Sequence, residues 1–126
     1  MLSTVSKDFV IDHRIRHVNK NVPLTHSHQY NEIYFLQSGK CNVYIDNETY
    51  YLEDGSVLFI PAFKEHTFIY PFTQDVKRTV LYISTEQLNW YFNKDFKDEI
   101  NNLFINKHLQ LSRKSFSNLS NIFEKI

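Results

Sequence analysis

Cysteine is almost missing from this chain. Cys41 stands alone, so neither an internal disulfide nor a four-thiolate zinc cluster can form, which fits a reducing compartment. Two glycines and three prolines are all the punctuation available, so each is expected to mark a turn. A charge of one sign is also lacking: fourteen Lys and Arg balance fourteen Asp and Glu, which excludes the basic field of a nucleic-acid-binding domain. No apolar run approaches the roughly 18 residues of a membrane span, and the first nine residues lack the apolar stretch of a signal peptide. Neither insertion nor export is expected, and the chain reads as cytoplasmic. Apolar and aromatic residues are plentiful, at 42% and 16% of 126 residues. That is enough for one core, too few residues for two, and incompatible with disorder of the whole.

The texture changes near Ser84. Before it, apolar residues alternate with polar ones at the period of a strand; after it they recur at helical spacing. Glu32 to Leu36 runs into Gln37-Ser38-Gly39-Lys40, Cys41 to Ile45 reverses at Asp46-Asn47-Glu48, and Thr49 to Leu52 leads into Glu53-Asp54-Gly55. Ser56 to Ile60 stops at Pro61, His66 to Tyr70 stops at Pro71, and Lys77 to Ser84 closes the set. Many short strands at such spacing predict an antiparallel sandwich or barrel. Ser84-Thr85-Glu86-Gln87 then reads as a capping box, followed by apolar stripes at Leu88, Tyr91 and Phe92, at Phe96, Ile100, Leu103 and Phe104, and at Phe116, Leu119, Ile122, Phe123 and Ile126. A break separates the last two between Asn106 and Leu111. With no stop signal after Phe123, the last helix is expected to run on past Ile126 in a longer protein.

One constellation carries chemistry. In a strand, residues two apart face the same way, so His26 and His28 present both imidazoles to one side, and Glu32 keeps that parity. Gly39 follows Glu32 at the hairpin, and Gly55, Pro61 and His66 come later. This arrangement, His26-x-His28-x3-Glu32-x6-Gly39 and then Gly55-x5-Pro61-x4-His66, resembles the two motifs of the cupin barrel. Three positions depart from them: the glycine that opens the first motif falls at Lys20, the glycine of the second is Phe63, and the closing asparagine is Tyr70. The resemblance implies an all-β cupin barrel (a double-stranded β-helix or jelly roll) with two or three C-terminal α-helices. In metal-binding members the positions matching His26, His28, Glu32 and His66 hold one ion. The same four groups can instead form a hydrogen-bonded polar floor without metal.

A narrower resemblance joins the first. His26-Ser-His-Gln-Tyr-Asn-Glu-Ile-Tyr-Phe-Leu-Gln-Ser-Gly39, then Tyr51-Leu-Glu-Asp-Gly-Ser-Val-Leu-Phe-Ile-Pro61 and His66, is similar to the N-terminal domain of AraC/XylS-type transcription regulators. It implies a sensor of a small molecule, with a carbohydrate as first candidate, that is not an enzyme and needs no cofactor. Residues 1–84 would be the barrel with an N-terminal arm. Residues 85–126 would be a helical dimerisation and linker segment cut before a DNA-binding domain, through which alone DNA would be reached. The alternative is a metal-dependent cupin enzyme, a dioxygenase or isomerase, with His26, His28, Glu32 and His66 as ligands.

Parity extends the candidate ligand-binding set to His26, His28, Glu32, Tyr34, His66 and Phe68, an aromatic pocket with a few convergent polar groups. Tyr34 and Phe68 can equally be plain barrel filling. The strand from Glu32 has two apolar faces, so its outer face needs a cover: the N-terminal strand, the C-terminal helices or a second copy. Phe116, Leu119 and Phe123 are the expected dimerisation residues, unless their helix folds back on the barrel. The alternation His13-Arg14-Ile15-Arg16-His17 reads as a solvated strand face.

Overall fold

The computed structural model describes residues 2–5, 9–16, 24–26, 29–71, 74–91, 97–106 and 108–124. Its strands are β1 (Leu2–Val5), β2 (Phe9–Arg16), β3 (Leu24–His26), β4 (Asn31–Ser38), β5 (Cys41–Ile45), β6 (Glu48–Leu52), β7 (Ser56–Ile60), β8 (His66–Ile69), β9 (Val76–Ile83) and β10 (His108–Gln110). The helices are α1 (Thr85–Tyr91), α2 (Lys97–Asn106) and α3 (Arg113–Glu124). Six strands in the order β1-β2-β9-β4-β7-β10 make one sheet and four in the order β3-β8-β5-β6 make the other, with every pairing antiparallel. The expected mostly β barrel with trailing helices is present.

Alternation sorts the side chains into two layers. Tyr34, Leu36, Leu58, Ile60, Val76 and Val80 face inward from the six-stranded sheet and meet Cys41, Val43, Ile45, Leu52 and Phe68 of the other. On the outer face Phe35, Val57 and Phe59 are covered by Leu103 and Phe104 of α2, by Leu111, and by Phe116 and Leu119 of α3. Ring centroids lie 5.5 Å apart for Phe35 and Phe116 and 5.4 Å for Phe59 and Phe104, both edge to face. Burying Phe35 and Phe59 contributes about 2 kcal/mol each. Of the three covers considered for β4, the C-terminal helices fill the role.

The helical half differs from expectation in one respect. The break at Asn106 to Leu111 contains β10, which pairs with β7 through Leu109↔Val57 and Gln110↔Ser56 and extends the barrel sheet. Three residues are too few to show a period, which is why the strand was invisible. Gln110 fixes it: the Ser56 hydroxyl donates to Oε1 at 2.7 Å, and Nε2 donates to the Asp54 carbonyl at 2.7 Å. Gly55, at φ +86°, lets this strap approach, since a Cβ there would meet Gln110 Nε2 and a Phe116 ring carbon at 3.2 Å. α1 begins as expected, with the Ser84 hydroxyl accepting from the Gln87 amide at 3.1 Å. On α3, Ile122 leaves the packed stripe and is 56% exposed, while the side chain of Phe123 and Ile126 lie outside the described residues. β1 pairs along β2 at the sheet edge, so residues 2–5 of the expected arm lie on the sheet.

Candidate functional site

Glu32 projects inward from β4 and His66 from β8, and they meet across the barrel. Glu32 Oε2 and His66 Nε2 lie 2.6 Å apart, both residues 1% exposed, in a contact that ties one sheet to the other. The other imidazole nitrogen, Nδ1, is 2.8 Å from the Lys64 carbonyl. A carbonyl only accepts, so Nδ1 carries a hydrogen, and Nε2 faces the carboxylate, whose charge favours the protonated ring. Burial pushes the His66 imidazole toward its neutral form. The Glu32 carboxylate, as acceptor and as charge, and the Lys64 carbonyl outweigh that, and the net displacement is upward from 6.5.

Aromatic rings wall the pair. Phe68 stacks on Tyr34 at 4.9 Å, stands perpendicular to His66 at 5.5 Å and lies nearly parallel to Tyr70 at 6.1 Å. The hydroxyls of Tyr34 and Tyr70 are 3.2 Å apart. Burial, joined by Tyr70, holds the Tyr34 phenol well above its usual range, so it remains a neutral hydrogen-bonding group. Tyr82 is the register partner of Glu32 on β9, and its phenol is pushed up to about 12, first by burial and then by the Glu32 carboxylate.

The structure therefore brings Glu32, Tyr34, His66 and Phe68 together. Of the two remaining expected residues, His26 lies on β3 with its backbone in register with His66 while its side chain lies outside the described residues, as does His28 altogether. Phe116 and Leu119 pack on the outer face of their own barrel, and the side chain of Phe123 is not described. Tyr70 and Tyr82 were missed. Tyr70 shares parity with His66 and Phe68 and was legible on that ground, whereas Tyr82 depends on a strand register that the linear sequence does not display. The reading of residues 13–17 as a solvated face is corrected for its described part. Arg14 faces inward and pairs with the buried Asp12 at 3.1 Å, His13 lies 2.7 Å from the Thr79 hydroxyl, and Ile15 is the residue turned to solvent, at 51% exposure.

The sequence model of the cupin domain matches residues 15–82, more than half of the chain and the stretch that contains β3 to β8, nearly all of β9 and the Glu32–His66 contact. The chain belongs to the cupin family. Its fold is shared with solved structures at low identity. A cupin protein from Bacteroides fragilis has 23% identity and a TM-score of 0.57, covering 64% of this chain and 69% of that one. A Ralstonia eutropha protein provisionally assigned as a mannose-6-phosphate isomerase has 13% identity, a TM-score of 0.58 and coverage of 65% and 80%. A Cupin 2 conserved barrel domain protein from Salinispora arenicola has 17% identity, a TM-score of 0.56 and coverage of 70% and 73%. At these identities the likeness establishes the fold alone. No curated protein matches the sequence.

Whether this cupin's described residues fit a metal ion can be judged from the pair itself. Two ligands held about 2.1 Å from one ion stand roughly 3 Å or more from each other. Glu32 Oε2 and His66 Nε2 are closer than that. Among the described residues no group of three or more His, Cys, Asp or Glu side chains gathers to bind an ion, so these residues alone do not fit one. Nor is any helix among them long and apolar enough to cross a membrane.

Proposed function

We propose that this cupin is the effector-sensing part of a cytoplasmic transcription regulator of the AraC/XylS type, binding a small molecule inside the barrel and performing no catalysis. The observation that carries this reading is the double duty of β4. Glu32 and Tyr34 face the interior, while the neighbouring Phe35 faces outward against Phe116 of α3. A ligand that moves β4 from within acts on the helical segment from without, which is what a sensor needs in order to bias an attached DNA-binding part. Aromatic faces beside hydrogen-bonding groups suit a carbohydrate, with its apolar ring faces and hydroxyls. Phe116 and Leu119 are engaged with the barrel, so a second copy would meet α3 on its outward side, where Ile122 is exposed.

A thermal-shift screen against sugars tests the ligand, since a binder raises the unfolding free energy by about 2.7 kcal/mol at a hundredfold excess over Kd. The expected hit loses its effect in Tyr34→Ala. The regulator assignment predicts that the parent reading frame continues past Ile126 into two helix-turn-helix units, and a stop codon at that point counts against it.

A second reading, a metal-dependent cupin enzyme using His26, His28, Glu32 and His66, is favoured by one observation. The Lys64 carbonyl fixes His66 Nδ1–H and leaves Nε2 facing the interior, as a backbone carbonyl does behind a metal-bound histidine. Metal analysis of freshly purified protein separates the two: near-stoichiometric iron, manganese or nickel, lost in His28→Ala, supports the enzyme.

A further inference from the structure

Asn31 is a poor strand former at the first position of β4, yet it is only 6% exposed, so its polar side chain is held there by the bonds it makes. β4 lies between β7 and β9, and Asn31 stands where both neighbours end. Its register partner is Ile83, the last residue of β9, and the next residue, Glu32, is the partner of Ile60, the last of β7. From that position one side-chain amide reaches to both sides. Oδ1 accepts from the Ala62 amide at 2.9 Å, and Nδ2 donates at 3.2 Å to the Ile83 carbonyl and at 3.2 Å to the Thr85 hydroxyl. These partners fix which atom is O and which is N, because a backbone amide only donates and a carbonyl only accepts. Both donor hydrogens and the acceptor oxygen are in use.

Each arm ends on an ordered turn. On one side Ala62 is the second residue of a turn closed by the Lys64 amide on the Pro61 carbonyl at 3.3 Å, with Phe63 left-handed at its third position. The Lys64 carbonyl of the same turn accepts from His66 Nδ1 at 2.8 Å, so this turn positions the imidazole. On the other side Thr85 is the first residue of α1. The first turn of that helix is closed by the Gln87 amide on the Ser84 hydroxyl at 3.1 Å and the Leu88 amide on the Ser84 carbonyl at 2.9 Å, with Leu88 buried. An aspartate in place of Asn31 would lack the two donors, and a leucine would lack donors and acceptor alike.

We propose that Asn31 is a relay between the barrel interior and the helical segment, coupling the turn that positions His66 to the first turn of α1. It is a positioning residue, acting on the imidazole through the turn and on the helix through Thr85. The inference deepens the proposed sensor by giving its interior a route to the helices that does not pass through Phe35 and Phe116. It rests on that reading only for its use. The coupling belongs to the chain itself and is measured without a ligand, so its failure leaves the sugar screen and the reading-frame test standing.

The test is amide hydrogen exchange, followed by NMR, on the whole chain and on two variants that each cut one arm. Thr85→Val, at an exposed position, removes the hydroxyl that Asn31 reaches. Ala62→Pro removes the amide hydrogen that Asn31 accepts, at a turn position where proline is favoured. Coupling is reciprocal, so each cut is read on the far side of Asn31. Thr85→Val is expected to speed exchange at the Ala62 amide by about fivefold, and Ala62→Pro to speed it at Gln87 and Leu88 by about as much, while Val43 in the opposite sheet keeps its rate. Faster exchange confined to α1 in Thr85→Val, with Ala62 unchanged, would overturn the relay and reduce Asn31 to separate local bonds. A rise that Val43 shares in full would overturn it as well, because the substitution would then have lowered global stability instead of breaking a link. Thr85→Val decides the question alone should Ala62→Pro not fold.

Discussion

Phe63 occupies a backbone position that suits another residue. Its φ is +66°, in the left-handed region, and its ring is 76% exposed. A Cβ at such an angle costs about 1 kcal/mol, and the exposed ring returns little of it. The second cupin motif expects glycine there, and the angle supplies the physical reason. Phe63→Gly is therefore expected to stabilise the protein by about 1 kcal/mol, and Phe63→Ala to gain nothing because it keeps the Cβ; chemical denaturation decides. At His66 the prediction concerns pH. A native value above 6.5 means that the folded state holds the proton more tightly than the unfolded chain. The contribution is therefore complete below about pH 6.5 and is lost as pH rises through the native value. In a histidine NMR titration His66 should titrate above 6.5 and fall in Glu32→Gln. His108, lowered by burial against a smaller opposing effect of Glu53, should titrate below 6.5. Glu32 and His66 were legible because motif spacing and strand parity agree on them, but their direct contact was not, since it joins different sheets. Asp12, Arg14 and Arg78 carried no legible link, because 64 residues of chain and an unknown register separate Arg14 from its partner on β9.

Among the elements, β10 decides where the helices sit. It turns the connection from α2 to α3 into part of the sheet, and Gln110, Gly55 and the Leu111 amide, which donates to the Gly55 carbonyl at 3.0 Å, hold it against β7. Gln110→Ala removes two side-chain hydrogen bonds and is expected to cost about 2 kcal/mol in chemical denaturation, with faster amide exchange across residues 108–111. Phe116→Ala empties the space beside Phe35 and should cost about 2 kcal/mol as well. The strands of the barrel were legible from their turns and alternation, with ends displaced by a residue or two. The cover of β4 was legible only as a need, because an apolar outer face announces that something packs there without saying what.

At the scale of the whole molecule, two sheets enclose a buried imidazole–carboxylate pair and aromatic walls, and one strand links that interior to the packed helices. A stabilising ligand should consequently slow exchange in both places, raising protection at β4 and at α3 together. The most direct measurement is an amide NMR titration with whichever compound the stability screen returns, reading Glu32, Tyr34 and His66 inside the barrel and Phe116 and Leu119 on α3. The account predicts that both groups shift with one common affinity while the exposed Tyr51 on β6 stays in place. A binder that shifts outer-wall residues without moving Glu32, Tyr34 and His66, or that fills the barrel and leaves α3 unchanged, contradicts it.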